Sequence, residues 1–288
     1  HEAAVVCIDR AWDLDNSNAD ILYRRIKIRG RARRMDGLLA DCRHLIALRS
    51  NNPDYHNLVG STYNDQGHFE QAEHHYREAL RLDPQHAVAF SNRIFNAHYN
   101  PALSRAHILD LVLQRRDTFE PRPRPSRQRA SNRDEGRPLT IGLLSSGLRS
   151  HPVGQMITAA LEHLSADDFQ LIAYATSNTE DHISARLRRI SHRWHSVATA
   201  RRDTLNSLIR DDQVDILIDL NGHADGNRLR LLADEPAPLL VKWVGGLVNT
   251  TGLEAIDYLI SDSVETPAGY DDQYLEKLIR MPDDYICY

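Results

Sequence analysis

Three short stretches hold side chains suited to an oxygen-rich ligand. In His151-Pro152-Val153-Gly154 the proline fits the first turn of a helix, which sets His151 near the cap with exposed amides beside it. A neutral histidine there could orient or deprotonate a hydroxyl, and the positive helix end would lower its pKa. His151 is the candidate catalytic residue. In Asp219-Leu220-Asn221-Gly222-His223, Asn221 and His223 can donate to or accept from sugar and phosphate oxygens. Gly222 turns the chain, and Asp219 is expected to fix the loop by accepting backbone protons. The third stretch runs from Val244 through Gly245 and Gly246 to Asn249-Thr250-Thr251-Gly252. Adjacent glycines with hydroxyl and amide neighbours can present N–H groups to a pyranose or to its departing phosphate. The candidate ligand contacts are therefore Asn221, His223, Gly245, Gly246, Thr250 and Thr251. A loop histidine at a domain surface and a plain turn over 249–252 are the competing readings of the same residues.

No metal is expected, because His151 and His223 lack a third ligand. Neither a phosphate-loop lysine nor a GxGxxG pattern accompanies these stretches, which argues against ATP or NAD. Arg228 and Arg230 read as surface residues of a following helix. Trp243 reads as core before it reads as a stacking platform for a sugar.

The elements that must position these loops alternate between strand and helix. Apolar strand patterns occupy 139–144, 169–175, 194–197, 214–220, 239–244 and 256–260. Helical spacing occupies 155–164, 181–193 (Ile183, Leu187, Ile190) and a segment carrying Leu205, Leu208 and Ile209. Such alternation predicts a mainly parallel, doubly wound sheet, whose ligands bind where the carboxyl ends of strands meet helix starts. All three stretches fall at such ends.

Upstream, a different period rules. With Pro53 as position 1 of a repeat of about 34 residues, His56, Val59, Gly60, Tyr63, Ala72, Tyr76, Ala79 and Pro84 match the tetratricopeptide pattern of two antiparallel helices. One period earlier, Leu22, Ile26, Leu38, Cys42 and Leu45 take core positions, while Arg25 and Arg29 fit poorly. Ala4, Ile8 and Ala11 fall in the second helix of a still earlier unit, so the array is expected to continue upstream. A last, irregular unit holds Phe90 and Ile94, breaks at Asn100-Pro101 and resumes a helix over 104–112 as an adapter. The expected domains are a tetratricopeptide region with adapter helices at 1–118, an Arg/Pro-rich linker at 119–137 and an α/β lobe at 138–288.

Composition narrows the function classes. A net charge of -5 argues against broad nucleic-acid affinity, and no apolar run approaches a membrane span. Cys7, Cys42 and Cys287 are scattered and read as buried thiols of a reducing compartment.

The ordered set of motifs resembles the soluble nucleotide-sugar protein glycosyltransferases, the family of the O-linked N-acetylglucosamine transferases and the SPINDLY-like enzymes. It comprises the repeats, the adapter 96–104, His151-Pro152-Val153-Gly154 and the run 215–223. Arg228, the run 236–243 that opens on Pro236-Ala237-Pro238, Thr250-Thr251-Gly252, Asp257-Tyr258 and Met281-Pro282-Asp283-Asp284-Tyr285 complete it. The resemblance implies a repeat superhelix followed by the Rossmann-like N-terminal lobe of a GT-B enzyme, with the C-terminal lobe absent from this segment. It also implies inverting, metal-independent transfer of N-acetylglucosamine from UDP-N-acetylglucosamine to Ser or Thr hydroxyls, by a longer enzyme of which this segment alone is inactive. Protein O-fucosylation from GDP-fucose and a non-enzymatic peptide-binding scaffold are the alternatives. His151 matches the family's active-site histidine, and the 245–251 loop matches a wall beside donor and acceptor. Where the family commonly has tyrosine and proline after the first glycine, Gly246 and Leu247 stand here. No cofactor is implied. The expected partners are protein or peptide acceptors in the repeat groove and a nucleotide-sugar donor, with homo-oligomerisation left open, no membrane or nucleic acid, and a cytoplasmic location.

Overall fold

The computed structural model describes residues 2–119, 136–246 and 249–287. Most of the linker expected at 119–137 and the loop residue Leu247 lie outside the described residues. The chain divides into two compact units, His1–Ser104 and Arg105–Tyr288.

The first unit is six antiparallel helices: α1 (Glu2–Leu14), α2 (Ala19–Arg31), α3 (Leu38–Leu48), α4 (Pro53–Asp65), α5 (Phe69–Leu82) and α6 (Ala87–Tyr99). Their starts are set by local chemistry. Asn18 accepts from Asp20 N and Ile21 N, and Asn52 does the same for Asp54 N and Tyr55 N with Pro53 in the first turn. The expected core residues Leu22, Ile26, Leu38, Cys42, Leu45 and Val59 are buried. Gly60 sits where α4 crosses α5, and a Cβ there would lie 2.7 Å from the Tyr76 ring, so only glycine allows the approach. Arg25 and Arg29 depart from the apolar pattern for an electrostatic reason. Arg25 bonds Asp9 at 2.7 Å and Asp41 at 2.6 Å, and Arg29 reaches Asp9 at 3.4 Å, tying α1, α2 and α3 together. The cysteines correct an expectation: Cys42 alone is buried, whereas Cys7 and Cys287 are exposed.

A histidine pair is expected to make this unit acid-sensitive. His56 Nε2 faces the Ser50 carbonyl at 3.0 Å, which can only accept, so that nitrogen carries the proton. With that proton on Nε2, His56 Nδ1 can accept from His75 Nδ1, 3.1 Å away. Burial, and after it the neighbouring His56 and His74, pull the His75 pKa from 6.5 to about 4. The unfolded chain therefore binds the proton first, and stability present above pH 6.5 drains away as pH falls through about 4. The urea midpoint of the helix signal should drop over that window, and His75→Gln should flatten the drop. Parallel curves for the two proteins would contradict this.

The second unit opens with α7 (Arg105–Phe119), which contains most of the helix expected over 104–112 as an adapter. The Val112 backbone of α7 lies against Gly252, where a Cβ would meet the Val112 carbonyl oxygen at 2.9 Å. Arg105 stacks over the Tyr270 ring at 4.8 Å. A seven-stranded sheet follows: β1 (Leu139–Ser145), β2 (Phe169–Ala175), β3 (Arg193–Ser196), β4 (Ile216–Asp219), β5 (Leu239–Trp243), β6 (Tyr258–Asp262) and β7 (Lys277–Met281). The strand order is β3-β2-β1-β4-β5-β6-β7 and every pairing is parallel. Between them run α8 (Pro152–Leu161), α9 (His182–Ile190), α10 (Arg202–Asp211) and α11 (Leu229–Leu232). Strand side chains alternate between two cores. Leu144, Ile172, Leu217 and Leu240 pack on one face of the sheet, while Leu143, Leu171, Ile218 and Val241 pack on the other. The order reverses between β1 and β4, and in sheets of this kind the carboxyl ends of the strands at such a reversal are where ligands bind.

Candidate functional site

Three loops meet at the reversal point, and glycine decides how closely. Gly245 (φ +53°) follows β5, and a Cβ on it would lie 1.6 Å from the Leu220 carbonyl oxygen after β4. Gly246 (φ +70°) would place its Cβ 2.7 Å from Asn221 O, and Gly222 (φ +52°) is 3.3 Å from Gly245 O in the same sense. The β4 and β5 loops thus touch backbone to backbone. Val244, just before the glycines, holds a strained φ of +42°. On the β1 side, a Cβ at Gly154 would meet Arg149 O at 2.2 Å, so the 147–149 loop lies directly on the start of α8.

His151 caps α8. Its Nδ1 accepts from Val153 N at 3.2 Å. A lone pair must face that amide, so the neutral ring carries its proton on Nε2 and offers a donor there. Burial, and after it the positive charge of Arg149, lower the His151 pKa and keep the ring neutral. The side chain is half-buried.

The polar side chains expected to reach a ligand have other partners. Asn221 Oδ1 accepts from Ser145 Oγ at 2.6 Å and Ser146 N at 3.1 Å, while Nδ2 donates to Ser146 Oγ and Asp225 O, each at 3.0 Å. Its amide clasps the β1 loop to the β4 loop. Thr250 donates to Glu276 Oε2 at 2.7 Å, Thr251 N donates to Oε1 at 2.7 Å, and the Thr251 hydroxyl also donates to Oε1. His223 is buried, and its carbonyl accepts from Asn227 Nδ2 at 3.4 Å. Among the candidate residues, accessible surface comes instead from half-buried His151 and Gly245 and from exposed Gly246. Asn221, Thr250 and Thr251 brace the loops through their side chains, His223 is buried, and His151, Gly245 and Gly246 keep accessible surface.

Arg228 belongs with the braces as well. It donates to the carbonyls of Val197 at 3.1 Å and Ala198 at 2.9 Å, clamping the turn after β3. Trp243 is partly buried and packs against the core, with Nε1 donating to Tyr285 O at 2.7 Å. Nothing in the sequence marks Glu276, and although Ser145 opens the first loop, nothing there marks its bond to Asn221. Lys242 did leave a signal: a cation inside an apolar strand pattern must have buried partners. Among the described residues no group of three His, Cys, Asp or Glu side chains could hold a metal ion, and no helix is long and apolar enough to cross a membrane.

Comparison with known proteins settles the family. The profile of glycosyl transferase family 41 matches residues 83–287. The chain belongs to glycosyl transferase family 41. Residues 53–86 of this family 41 chain also match the tetratricopeptide repeat profile, in the frame that begins at Pro53. Among its relatives is a rice protein (Oryza sativa subsp. japonica) described as a probable UDP-N-acetylglucosamine–peptide N-acetylglucosaminyltransferase SPINDLY. It is 30% identical over 228 residues, covering 74% of this chain and 23% of the relative. An Arabidopsis thaliana protein of the same description, SEC, is 31% identical over 148 residues, covering 51% and 15%. A solved structure of a Thermobaculum terrenum O-GlcNAc transferase variant superposes with a TM-score of 0.91 at 28% identity, over 98% of this chain and 54% of that one. The family 41 chain thus spans less than a quarter of these curated relatives and about half of the solved chain. The expected fold, repeats followed by a parallel α/β lobe, agrees with that structure.

Proposed function

We propose that this chain is the repeat region and first lobe of an inverting, metal-independent protein glycosyltransferase that moves N-acetylglucosamine from UDP-N-acetylglucosamine to Ser or Thr hydroxyls. The observation that carries the reading is the capped His151, an N–H donor on the loop after β1, at the end of the sheet where glycine backbone packs the loops after β4 and β5 together. The family membership and the relatives' descriptions support the donor and the peptide acceptor. In such a transfer the acceptor oxygen bonds to the anomeric carbon from the face opposite the nucleotide, as the bond to the departing diphosphate breaks. His151 is ill-suited to take the hydroxyl proton, because its outer nitrogen already bears one. Its part is to donate a hydrogen bond to an oxygen of acceptor or sugar and so fix the line of attack. Gly245 and Gly246 let the donor approach backbone amides.

The repeats supply a surface for the polypeptide acceptor. On α4 and α6, Asn92 Nδ2 donates to Asn57 Oδ1 at 2.9 Å and to Ser61 Oγ at 3.2 Å, and Asn64 Nδ2 donates to Asn96 Oδ1 at 2.9 Å. Asn96 is buried beneath, while half-buried Asn57, Asn64 and Asn92 are amides that can both donate to and accept from an extended peptide backbone. One lobe forms one side of a crevice, so the 288-residue chain by itself is expected to bind nucleotide sugar weakly and not to turn it over.

Transfer from labelled UDP-N-acetylglucosamine and from GDP-fucose to peptide acceptors, with and without chelator, tests the reading in a protein that carries both lobes. The expected result is chelator-insensitive transfer from the UDP sugar. Transfer from GDP-fucose alone would reassign the donor, and absence of any transfer by the folded protein would leave a peptide-binding scaffold.

A further inference from the structure

Three ionisable side chains lie beneath the β4 and β5 loops almost out of reach of water: Asp219 is 1% exposed, Lys242 2% and Glu276 3%. Each is bonded to loop atoms. Asp219 accepts from Asn221 N at 3.3 Å and from Gly222 N at 2.8 Å. Lys242 Nζ donates at 3.2 Å to the carbonyl of Val244, the strained residue that launches the glycine turn. Glu276 takes both threonine hydroxyls and the Thr251 amide. The direction of those hydroxyl bonds is forced. Thr250 Oγ1 already receives Gly252 N and Leu275 N, each at 3.2 Å, so its lone pairs are occupied and its proton must go to the carboxylate. Gly222 is pressed against the same lysine, with a Cβ there 2.8 Å from Lys242 Cε.

Stability is a poor reason for burying three charges. Replacing such a set with well-packed apolar residues is often neutral or stabilising by about 1–4 kcal/mol, whereas removing one member is costly. What the set does achieve is geometric, since among the described residues the bonds of its side chains end on the loops after β4 and β5. We propose that Asp219, Lys242 and Glu276 act together as positioning residues, with Lys242 balancing the two carboxylates that hold the β4 and β5 loops in the shape sugar transfer requires. The last clause rests on the transferase reading above; the loop-holding itself does not. Lys242 feels Asp219, Glu276 and, less strongly, Glu265, and Asp219 feels Lys242 and Glu276. Burial raises the Asp219 pKa to about 6, against the pull of the Gly222 amide and the lysine.

Two readouts test the proposal in Lys242→Met, Glu276→Gln and the double variant Lys242→Met with Asp219→Asn. The first is amide hydrogen exchange in the chain itself. Protection at Gly222, Thr251 and Gly252 should fall at least tenfold in each single variant while β1 and β2 amides keep theirs. The pH at which Gly222 loses protection, about 6 in the parent, should rise in Lys242→Met because the cation no longer favours the carboxylate. The double variant, which removes a charge pair together, should recover part of the protection. Unchanged loop exchange in the single variants, or general loss of protection across the sheet with no recovery in the double variant, would overturn the positioning role. The second readout is transfer by the protein with both lobes, expected to fall at least tenfold in kcat/KM for the donor and to recover partly in the double variant. Altered exchange with undiminished transfer would overturn the link to catalysis, and no transfer by the parent protein would overturn the reading on which that link rests.

Discussion

Gly245→Ala should destabilise the α/β unit by about 4 kcal/mol or more, a size reserved for substitutions that force backbone apart. Two terms add. An L-residue at φ +53° is strained by about 1–2 kcal/mol. The new methyl would also overlap the Leu220 carbonyl oxygen at 1.6 Å, and backbone on both sides leaves no flexible side chain to give way. Relief requires the β4 and β5 ends to separate, which would part the loops after them as well as loosen the sheet. Urea unfolding measures the loss, and a change below about 1 kcal/mol would show that the loops are not packed as described. Gly222→Ala should be milder, since its nearest contact is the end of the Lys242 side chain.

At His151 one substitution separates chemistry from architecture. Asparagine is among the best residues at a helix cap, so His151→Asn should keep the bond to Val153 N and leave the melting temperature nearly unchanged. It lacks the outer ring nitrogen. Transfer by the two-lobed protein should fall about 100-fold or more, the usual consequence of removing a positioned donor. His151→Ala should lose transfer equally and about 1 kcal/mol of stability besides. Parent-like turnover in His151→Asn would remove the ring from the chemistry. The pH dependence follows from the lowered pKa. The folded protein holds this ring neutral where the unfolded chain would protonate it, so the cap is fully present above about pH 6.5 and is lost as pH falls through the lowered value. Protonation would fall on Nδ1, the atom that accepts from Val153.

The repeat helices and most of the sheet were legible because burial leaves a period. The strand expected at 169–175 is β2 residue for residue, and the repeat frame opening at Pro53 is where α4 begins. β7 escaped notice because it is an edge strand whose Lys277, Ile279 and Met281 are exposed, so no buried stripe marks it. The candidate site was legible as a set of loops and less so in its bonding. Its glycines could be picked out because turns of this kind admit little else, but the bonds that tie Asn221, Thr250 and Thr251 to other parts of the lobe could not. Whether an asparagine or threonine faces a ligand or braces a loop depends on partners far along the chain. Ser145 is 76 residues from Asn221, and Glu276 is 26 from Thr250. Arg25 illustrates the same blindness in the helices, since its misfit disappears once Asp9 and Asp41 stand beside it.

The seat of α7 on Gly252 bears on where this protein can be cut. By composition, the natural place to divide it is the Arg/Pro-rich stretch, leaving a lobe that begins near residue 138. Such a fragment would lack Val112 and leave the Gly252 turn bare to water, so its flaws would be mistaken for those of the lobe itself. Grafting a foreign repeat array, or trimming this one, is better done ahead of Arg105, so that the helix travels with the loop it covers.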